Sequence, residues 1–471
     1  MLSSLFVFAR AAAALLASLA LFGAAATPPP GPPTQRWLLV SDVHFDPFAD
    51  PTLVDALAAT PVAGWEAVFT TGAQRGLSGY GTDADDALLD SALTAMRVAE
   101  PAPAVVLIDG DFLAHGFRSR FEKTARVHDE AAYRAFVDKT IAYLALRFGA
   151  AFPSAQFVPS IGNNDSYCGD YESAPGSPFL AHFAAVWAPL AQRGGAAPAF
   201  RNDVAAAGHY VSGVPGTALR LVVANSVVWS AHYDDRCGDP HADPAQAELT
   251  WLAAALHPAG AAPPTWVVTH IPPGIDVYAS LQGKTPTPTY ADGPAAQVPA
   301  LVDAPAANVT AFIAGHFHTD GFRIVGAGST HPVPLLLVPS ISPIFGNAPA
   351  FFDARIDPAS GTVVDATAYA LSGLPALGQP DPSTPTTWSA EYTFSSAYHL
   401  VALDAKGLTA LQHELADDAD VRASFERWFV SGSPIASMTE ANWPAYWCAD
   451  ADLTVSAWQT CLAQQPGAAK P

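Results

Sequence analysis

The chain is poor in charged residues and poorest in basic ones. Of its 471 residues 14% are charged, and 22 lysines and arginines stand against 43 aspartates and glutamates, which gives a formal net charge of −21. This balance argues against a non-specific nucleic-acid-binding protein, because a phosphate backbone would be repelled. A phosphate-ester substrate stays open, since bound cations can outweigh the field of the whole protein at one site.

Cysteine and long apolar runs are scarce too. The chain has 4 cysteines and none in a CxxC spacing, which excludes a small disulfide scaffold and disfavours a thiolate zinc site. Beyond residue 26, every long apolar stretch is broken by polar residues or proline, so no stable membrane insertion is predicted. Because 50% of the residues are hydrophobic, a large core can form and global disorder is excluded.

The first 26 residues have the composition of an export signal. Arg10 is their single charged residue, residues 11–26 are apolar and rich in alanine, and Ala24, Ala25 and Ala26 precede a proline-rich stretch. The run is short and weakly apolar for a membrane anchor, which is the alternative interpretation. We therefore predict a signal peptide over residues 1–26 and a secreted or periplasmic mature protein.

Export makes disulfides the expected state of the cysteines, since they would lie in an oxidising compartment. Cys168, Cys237, Cys448 and Cys461 allow three pairings. We favour Cys448–Cys461, which would close the C-terminal tail, and Cys168–Cys237, which would link two loops.

Short apolar runs alternate with helical patterns, which predicts an α/β architecture with its ligand site at the carboxyl ends of the strands. Strands are predicted at residues 37–40, 104–108, 155–159, 221–224, 266–269, 309–314 and 335–338. Helices are predicted within residues 82–100, 128–148 and 244–258. The expected organisation is a proline-rich leader over 27–35, a catalytic domain over 36–375, and a mostly helical, disulfide-closed subdomain over 376–471.

Five polar motifs follow predicted strands. In chain order they are Asp42-Val43-His44, Gly110-Asp111, Gly162-Asn163-Asn164-Asp165, His270 and Gly315-His316-Phe317-His318. Each motif alone is weak, because a single loop histidine is usually structural. Together they offer carboxylates, imidazoles and an amide oxygen at one sheet edge, a donor set that suits two divalent cations.

The motif set resembles that of the calcineurin-like metallophosphoesterase superfamily. SDVHFDPF, GDFLAH and AGHFHTDGFR further resemble motifs of its acid sphingomyelinase-like phosphodiesterase branch, over roughly residues 36–345. The resemblance implies a β-sandwich flanked by helices, with a small helical C-terminal subdomain. It also implies two divalent cations that activate a hydroxide for attack on phosphorus.

Carried over residue by residue, the resemblance implies two sets of metal ligands that share one carboxylate. Asp42, His44, Asp111 and His318 would hold the first metal, and Asp111, Asn163, His270 and His316 the second. Zinc is the favoured metal for a histidine-rich exported site, while manganese and iron stay open.

The third motif departs from most relatives, which carry histidine where this chain has Asn164. An amide cannot deliver a proton near neutral pH. We predict His115 and Asn164 as the catalytic residues, and the resemblance offers His115, four residues after Asp111, as the general acid. The sequence GNND of this motif resembles the corresponding motif of endopolyphosphatase-like relatives. Tyr167 and Tyr171 flank Cys168 and either line a substrate cleft or pack the loop.

The leading hypothesis is a secreted phosphodiesterase acting on small phosphate esters such as nucleotides or lipid head groups, with a monomer favoured. An endopolyphosphatase-like hydrolase acting on polyphosphate is the alternative within the same chemistry. A non-catalytic phosphate-ligand binding protein on the same fold is the alternative from another class, and it would predict gaps among the seven ligand positions.

Overall fold

A computed structural model gives the fold of this protein. It describes residues 34–72, 76–237, 243–258, 260–375, 385–435, 438–465 and 467–471. The predicted signal peptide and most of the predicted leader lie outside the described residues.

Two six-stranded sheets form the centre of the described chain. Their strands are β1 (Gln35–Ser41), β2 (Val105–Asp109), β3 (Gln156–Pro159), β4 (Tyr210–Gly213), β5 (Arg220–Ala224), β6 (Thr265–Thr269), β7 (Val309–Ala314), β8 (Gly321–Val325), β9 (Val333–Leu337), β10 (Ala350–Ile356), β11 (Val363–Ser372) and β12 (Thr387–Thr393). The order of the first sheet is β12-β11-β10-β1-β2-β3, and that of the second is β4-β5-β6-β7-β9-β8. All seven predicted strands are confirmed, with bounds that differ from the predicted ones by at most two residues.

The central strands of each sheet are parallel and deeply buried. β1, β2 and β3 pair in parallel in the first sheet, as do β5, β6, β7 and β9 in the second. Every residue of β2 and of β6 is buried, which explains their continuous apolar sequences. The sheets pack face to face, with 4.8 Å between the ring centroids of Trp37 and Trp266. The predicted α/β sandwich is therefore confirmed.

Helices cover the outer faces of the sheets. They are α1 (Val54–Ala59), α2 (Trp65–Phe69), α3 (Asp86–Ala99), α4 (Phe117–Thr124), α5 (Glu130–Ala151), α6 (Pro178–Ala191), α7 (Phe200–Ala207), α8 (Pro244–Leu256), α9 (Val277–Gly283), α10 (Asp292–Val302), α11 (Phe394–Ala397), α12 (Ala405–Asp417), α13 (Ala419–Trp428), α14 (Trp443–Ala449) and α15 (Val455–Ala463). The side chains of Asp85, Asp129 and Asp243 cap α3, α5 and α8. These are the three helices that the sequence predicted.

The C-terminal part of the chain is helical and packs against the second sheet. Strand β12 first pairs with β11 at the edge of the first sheet, and helices α11 to α15 follow. The rings of Phe322 in β8 and Phe425 in α13 lie 5.8 Å apart. The predicted helical C-terminus is confirmed. The domain boundary at residue 376 stays a prediction, because residues 376–384 are not among the described ones. No helix of the described chain has the length and apolarity needed to span a membrane.

Candidate metal centre

The five predicted motifs meet where the carboxyl ends of the two sheets' parallel strands converge. The loops after β1, β2 and β3 supply three motifs from the first sheet. The loops after β6 and β7 supply two from the second. Because parallel strands end at the same sheet edge, packing two such sheets brings all five loops together. The seven predicted ligands lie in these loops, at Asp42, His44, Asp111, Asn163, His270, His316 and His318.

Five of the seven predicted ligands have left-handed backbone conformations. Their φ angles are 49° for Asp42, 41° for His44, 53° for Asp111, 72° for His316 and 59° for His318. Such conformations are uncommon for residues other than glycine and cluster at functional sites. The loops therefore hold these side chains in directions that regular strands would not give.

Two glycines allow the loops to approach this closely. A Cβ atom at Gly162 would lie 2.2 Å from the Asp111 backbone nitrogen and carboxylate, and one at Gly315 would lie 1.8 Å from Ser41 Oγ. No side chain fits at those distances. The glycines of the third and fifth motifs thus bring their loops against the aspartate loops.

One group of ligand atoms surrounds Asp42. His318 Nε2 lies 3.2 Å and His44 Nε2 3.6 Å from Asp42 Oδ1, and the two Nε2 atoms are 3.1 Å apart. His44 Nε2 is also 3.4 Å from Asp111 Oδ2. Asp42, His44 and His318 therefore form one cluster of ligand atoms, and Asp111 approaches it through His44.

A second group of ligand atoms surrounds His270, whose Nε2 is also 3.8 Å from Asp42 Oδ1. His270 Nε2 is 3.3 Å from Asp111 Oδ2 and 3.1 Å from Asn163 Oδ1. His316 lies beside this group, with 5.3 Å between its ring centroid and that of His270. Four clusters of His, Cys, Asp and Glu ligand atoms within 4.8 Å of one another occur among the described residues, and His316 belongs to none of them. Three of the four second-metal ligands thus converge, and His316 stands at their edge.

The donor set fits divalent cations. Nδ1 of His44 donates to the Leu113 carbonyl at 2.9 Å and Nδ1 of His270 to the Asp109 carbonyl at 2.6 Å, so Nε2 of each ring faces inwards and, in the neutral ring, carries the lone pair. Asp42 Oδ1 is buried and has no hydrogen-bond partner among the described residues. Lone pairs from nitrogen and oxygen that face one another in this way repel unless positive charge lies between them.

The two carboxylates attract positive charge strongly. Burial by itself would lower the pKa of His44, but Asp111 and Asp42 outweigh it and raise that pKa to about 9. Burial and the neighbouring His270 lower the pKa of His316 to about 3, so its imidazole is neutral. The centre therefore stabilises cations beside Asp42 and Asp111 and keeps a neutral nitrogen ligand at its edge.

Asn164 holds the carboxylate that is predicted to bridge the metals. Its backbone N–H donates to Asp111 Oδ1 at 2.7 Å and its side-chain Nδ2 to Oδ2 at 3.0 Å. Asp165 accepts from the backbone N–H groups of Gly162 and Phe112 and so closes the loop. Both donor groups of Asn164 thus contact Asp111, and its catalytic role stays a prediction.

His115 lies at the cavity wall next to the first group. Its Nδ1 is 3.0 Å from Asp83 Oδ1, and its backbone N–H donates to Asp83 Oδ2 at 2.9 Å. Burial alone would raise the pKa of Asp83, but the hydrogen bond from His115 and the charge of His44 lower it to about 2. The Asp83 carboxylate therefore orients the ring and leaves Nε2 as its free nitrogen.

A cavity of about 490 Å³ opens from the metal centre towards the C-terminal helices. Asp111, Asn163, His316 and His318 line one end, and apolar and aromatic side chains line much of the rest. Among the latter, Phe345 lies over His318, with 4.8 Å between ring centroids. Tyr278, Phe345 and Ile435 are exposed on its wall. The cavity can hold an organic group larger than phosphate itself.

Both favoured disulfides are present. Cys168–Cys237 links the loop after the third motif to the loop after β5, and Cys448–Cys461 links α14 to α15. The second bond lies in the C-terminal part that lines the cavity.

Sequence reasoning missed three kinds of site residue. Asp83 orients His115 from 32 residues away, Asp170 contacts Asn163, and Phe429 and Met438 bring the C-terminal part to the cavity. Only Asp170 had a local signal, since it follows the GNND motif closely. The other contacts depend on tertiary packing that no local pattern reveals.

The family model of calcineurin-like phosphoesterases matches residues 36–320, which is more than half of the chain. Curated relatives agree with this match. The chain is 24% identical over 439 residues to the acid sphingomyelinase-like phosphodiesterase 3b of Homo sapiens, covering 90% of this chain and 89% of that protein. It is 24% identical over 370 residues to a sphingomyelinase phosphodiesterase D of Dictyostelium discoideum, covering 75% of each.

A third relative is a cyclic GMP-AMP phosphodiesterase of Rattus norvegicus. The chain is 22% identical to it over 323 residues, covering 66% of this chain and 68% of that protein. Among solved structures, GAP50 of Plasmodium superposes with a TM-score of 0.33 at 10% identity, covering 76% of this chain and 87% of that chain.

Proposed function

The chain belongs to the calcineurin-like phosphoesterase family, and from this premise we propose that it hydrolyses phosphodiesters of small organic alcohols at a two-metal centre. It is a metal-dependent phosphoric ester hydrolase by family and by its similarity to named phosphodiesterases. The choice of substrate, the ligand assignment and the metal are the proposal.

One observation carries the proposal. Imidazoles assigned to both metals reach Asp111, since His44 Nε2 lies 3.4 Å and His270 Nε2 lies 3.3 Å from its Oδ2. A carboxylate between two imidazole-bearing groups is the arrangement that a bridging ligand requires. All seven ligand positions carry a metal-binding residue type, so they give no support to the alternative of a non-catalytic binding protein.

Zinc is the metal we propose, because four of the seven ligands are imidazoles. When bound, two such cations activate a water and neutralise the non-bridging phosphoryl oxygens. The chain's own residues orient the ligands. Asn164 holds both oxygens of Asp111, and backbone carbonyls hold His44 and His270.

His115 is the proposed proton donor to the leaving alcohol. The ring lines the cavity, its Nδ1 is engaged by Asp83, and its Nε2 is therefore the nitrogen free to serve substrate. Asn164 is a poor candidate for this step because its amide already donates to Asp111.

The cavity favours an organic phosphodiester over polyphosphate. Apart from the metal ligands, its charged lining residues are the carboxylates Asp170, Asp276 and Asp450 and one guanidinium, Arg323. Arg323 donates to the backbone carbonyls of Pro273 and Ile275, so its guanidinium is already occupied by the protein. A polyphosphate chain would need several free cations along its length, whereas aromatic walls suit a nucleoside, an aryl group or a lipid head group.

We further propose that the protein is secreted. Two disulfides within the described residues and the export signal predicted over residues 1–26 support an oxidising location.

The test is turnover of bis(p-nitrophenyl) phosphate and of polyphosphate by the purified protein, with bound metal counted in the same sample. We expect two metals per chain, clear diester turnover and little polyphosphate turnover. Asp111→Asn should abolish turnover, while Glu122→Gln, a surface carboxylate change, should not. Preferential polyphosphate cleavage would overturn the substrate assignment, and metal-free protein with full activity would overturn the mechanism.

A further inference from the structure

A loop of residues 166–172 lies beside the second group of ligand atoms and is anchored to another loop. The Cys168–Cys237 disulfide joins it to residues 230–237. Arg236, next to that disulfide, forms an ion pair with Glu172 in the first loop. The backbone N–H of Asp234 donates to the Tyr171 carbonyl at 3.0 Å. A covalent bond, an ion pair and a backbone hydrogen bond thus fix the loop in place.

Asp170 in this loop decides which end of the Asn163 amide faces the centre. Asn163 Nδ2 donates to Asp170 Oδ1 at 2.7 Å, while Asn163 Oδ1 lies 3.1 Å from His270 Nε2. A carboxylate accepts hydrogen bonds only, so it binds the NH₂ end of the amide. Only the oxygen end can bind a cation, and Asp170 turns that end inwards.

Tyr171 contacts the same group in two ways. Its backbone N–H donates to the Asn163 carbonyl at 2.9 Å, and its hydroxyl lies 3.4 Å from His316 Nε2. When the Nε2–H of His316 donates to this hydroxyl, Nδ1 is the unprotonated nitrogen available to a metal. Tyr171 has a φ of 59°, a conformation that a bulky residue keeps only where the surrounding structure enforces it.

The first group of ligand atoms is held by other parts of the chain. His44 is fixed by the Leu113 carbonyl at 2.9 Å, and Asp42 Oδ2 accepts from the backbone N–H of His316 at 2.9 Å. These partners lie in the strand-end loops themselves. The side chains of Asp170 and Tyr171 thus contact ligands assigned to the second metal, Asn163 and His316.

We propose that Asp170 and Tyr171 are positioning residues for the second metal, and that the Cys168–Cys237 disulfide sets the affinity of that position by holding their loop. The inference rests on the proposed two-metal function and deepens it. It makes the second metal conditional on an intact disulfide, while the first metal binds independently of it.

The first test measures binding of Zn²⁺ alone, without substrate, by competition with a chromophoric chelator. Asp170→Ala should weaken the second position by roughly 10–100-fold, the range typical of residues that orient metal ligands, and leave the first unchanged. Asp170→Asn keeps an acceptor oxygen for the Asn163 amide and should restore most of the lost affinity. Tyr171→Phe should weaken the second position as well.

The second test removes the disulfide. The double variant Cys168→Ser, Cys237→Ser should retain one Zn²⁺ per chain under conditions in which the wild type retains two. The matched control, Cys448→Ser with Cys461→Ser, should retain both, because that bond lies in α14 and α15. If the first double variant does not fold, Asp170→Ala decides, since it keeps both disulfides.

Wild-type affinity at both positions in Asp170→Ala would overturn the inference, as would equal weakening of both positions. A wild-type protein that binds fewer than two Zn²⁺ ions would instead contradict the proposed function, and that result is obtained before any variant is compared.

Discussion

The imidazole rings of His44 and His115 are stacked, with 4.1 Å between their centroids and 25° between their planes. One ring belongs to the proposed metal ligands and the other to the proposed proton donor. The donor is nevertheless held from outside the centre, because Asp83 binds its Nδ1 and its backbone N–H. The two roles can therefore be separated by mutation.

Replacing His115 with alanine should slow poor leaving groups far more than good ones. A general acid typically contributes 10²–10⁴-fold, and the contribution grows as the leaving group becomes more basic. We expect a loss of about 10²-fold or more on alkyl or nucleoside diesters and a small loss on nitrophenyl diesters, with metal content unchanged. Steady-state kinetics on a series of leaving groups measures this. Equal losses across the series would mark His115 as a structural residue, and His128→Ala serves as the control.

Replacing Phe345 with alanine should raise KM for diesters that carry large organic groups. Phe345 is exposed on the cavity wall and packs against both His115 and His318. Removing an aromatic contact of this size should raise KM by roughly 10-fold for such substrates, with kcat nearly unchanged. A methyl nitrophenyl diester should be affected little. The matched control is Val401→Ala, at an exposed apolar residue outside the cavity lining. If Phe345→Ala raised KM equally for both substrates, the organic group would bind elsewhere.

Removing the Cys448–Cys461 disulfide should destabilise the C-terminal part without emptying the centre. The bond closes a segment of sequence separation 13, and loops of about 15 residues gain about 3 kcal/mol from such a link. The double serine variant should therefore unfold at a lower urea concentration while retaining both metals. An unchanged midpoint of unfolding would show that helix packing alone holds this segment.

The stability of the protein should fall as the pH rises from about 5 to about 8, in part because of Glu391. Burial raises the pKa of Glu391 from its usual value to about 7, against the opposing effect of Arg427. Because the folded pKa is the higher one, the stabilisation is complete below the unfolded pKa and is lost as the pH rises through 7. Glu391→Gln should lessen this decline by about 2 kcal/mol. Urea unfolding at pH 5 and at pH 8 gives the free energy of unfolding of the wild type and of Glu391→Gln. An equal change with pH in the two proteins would contradict the role given to Glu391.

Much of the fold could be predicted because its central strands carry their own signal. β2 and β6 are buried over their whole length, so their sequences are continuously apolar, and a polar motif marks where each ends. Asp85, Asp129 and Asp243 likewise marked the helix starts by local capping. These features depend on neighbours in sequence.

The features that could not be predicted depend on contacts between residues far apart in the sequence. Asp83 reaches His115 through the packing of two loops, and Ser342, 259 residues from Asp83, supports the same carboxylate. The strand β12 has one buried residue and lacks an apolar run, and only its pairing with β11 reveals it. Such contacts leave no periodic or local pattern.

Anomalous diffraction from crystals soaked in Zn²⁺ shows directly whether Asp111 bridges two metal positions. We expect two peaks about 3.5–4 Å apart, the separation usual for two-metal sites, with the Asp111 carboxylate in contact with both. One peak should contact Asp42, His44 and His318, and the other Asn163, His270 and His316. A single fully occupied peak at this centre, or two peaks that do not share Asp111, would contradict the account.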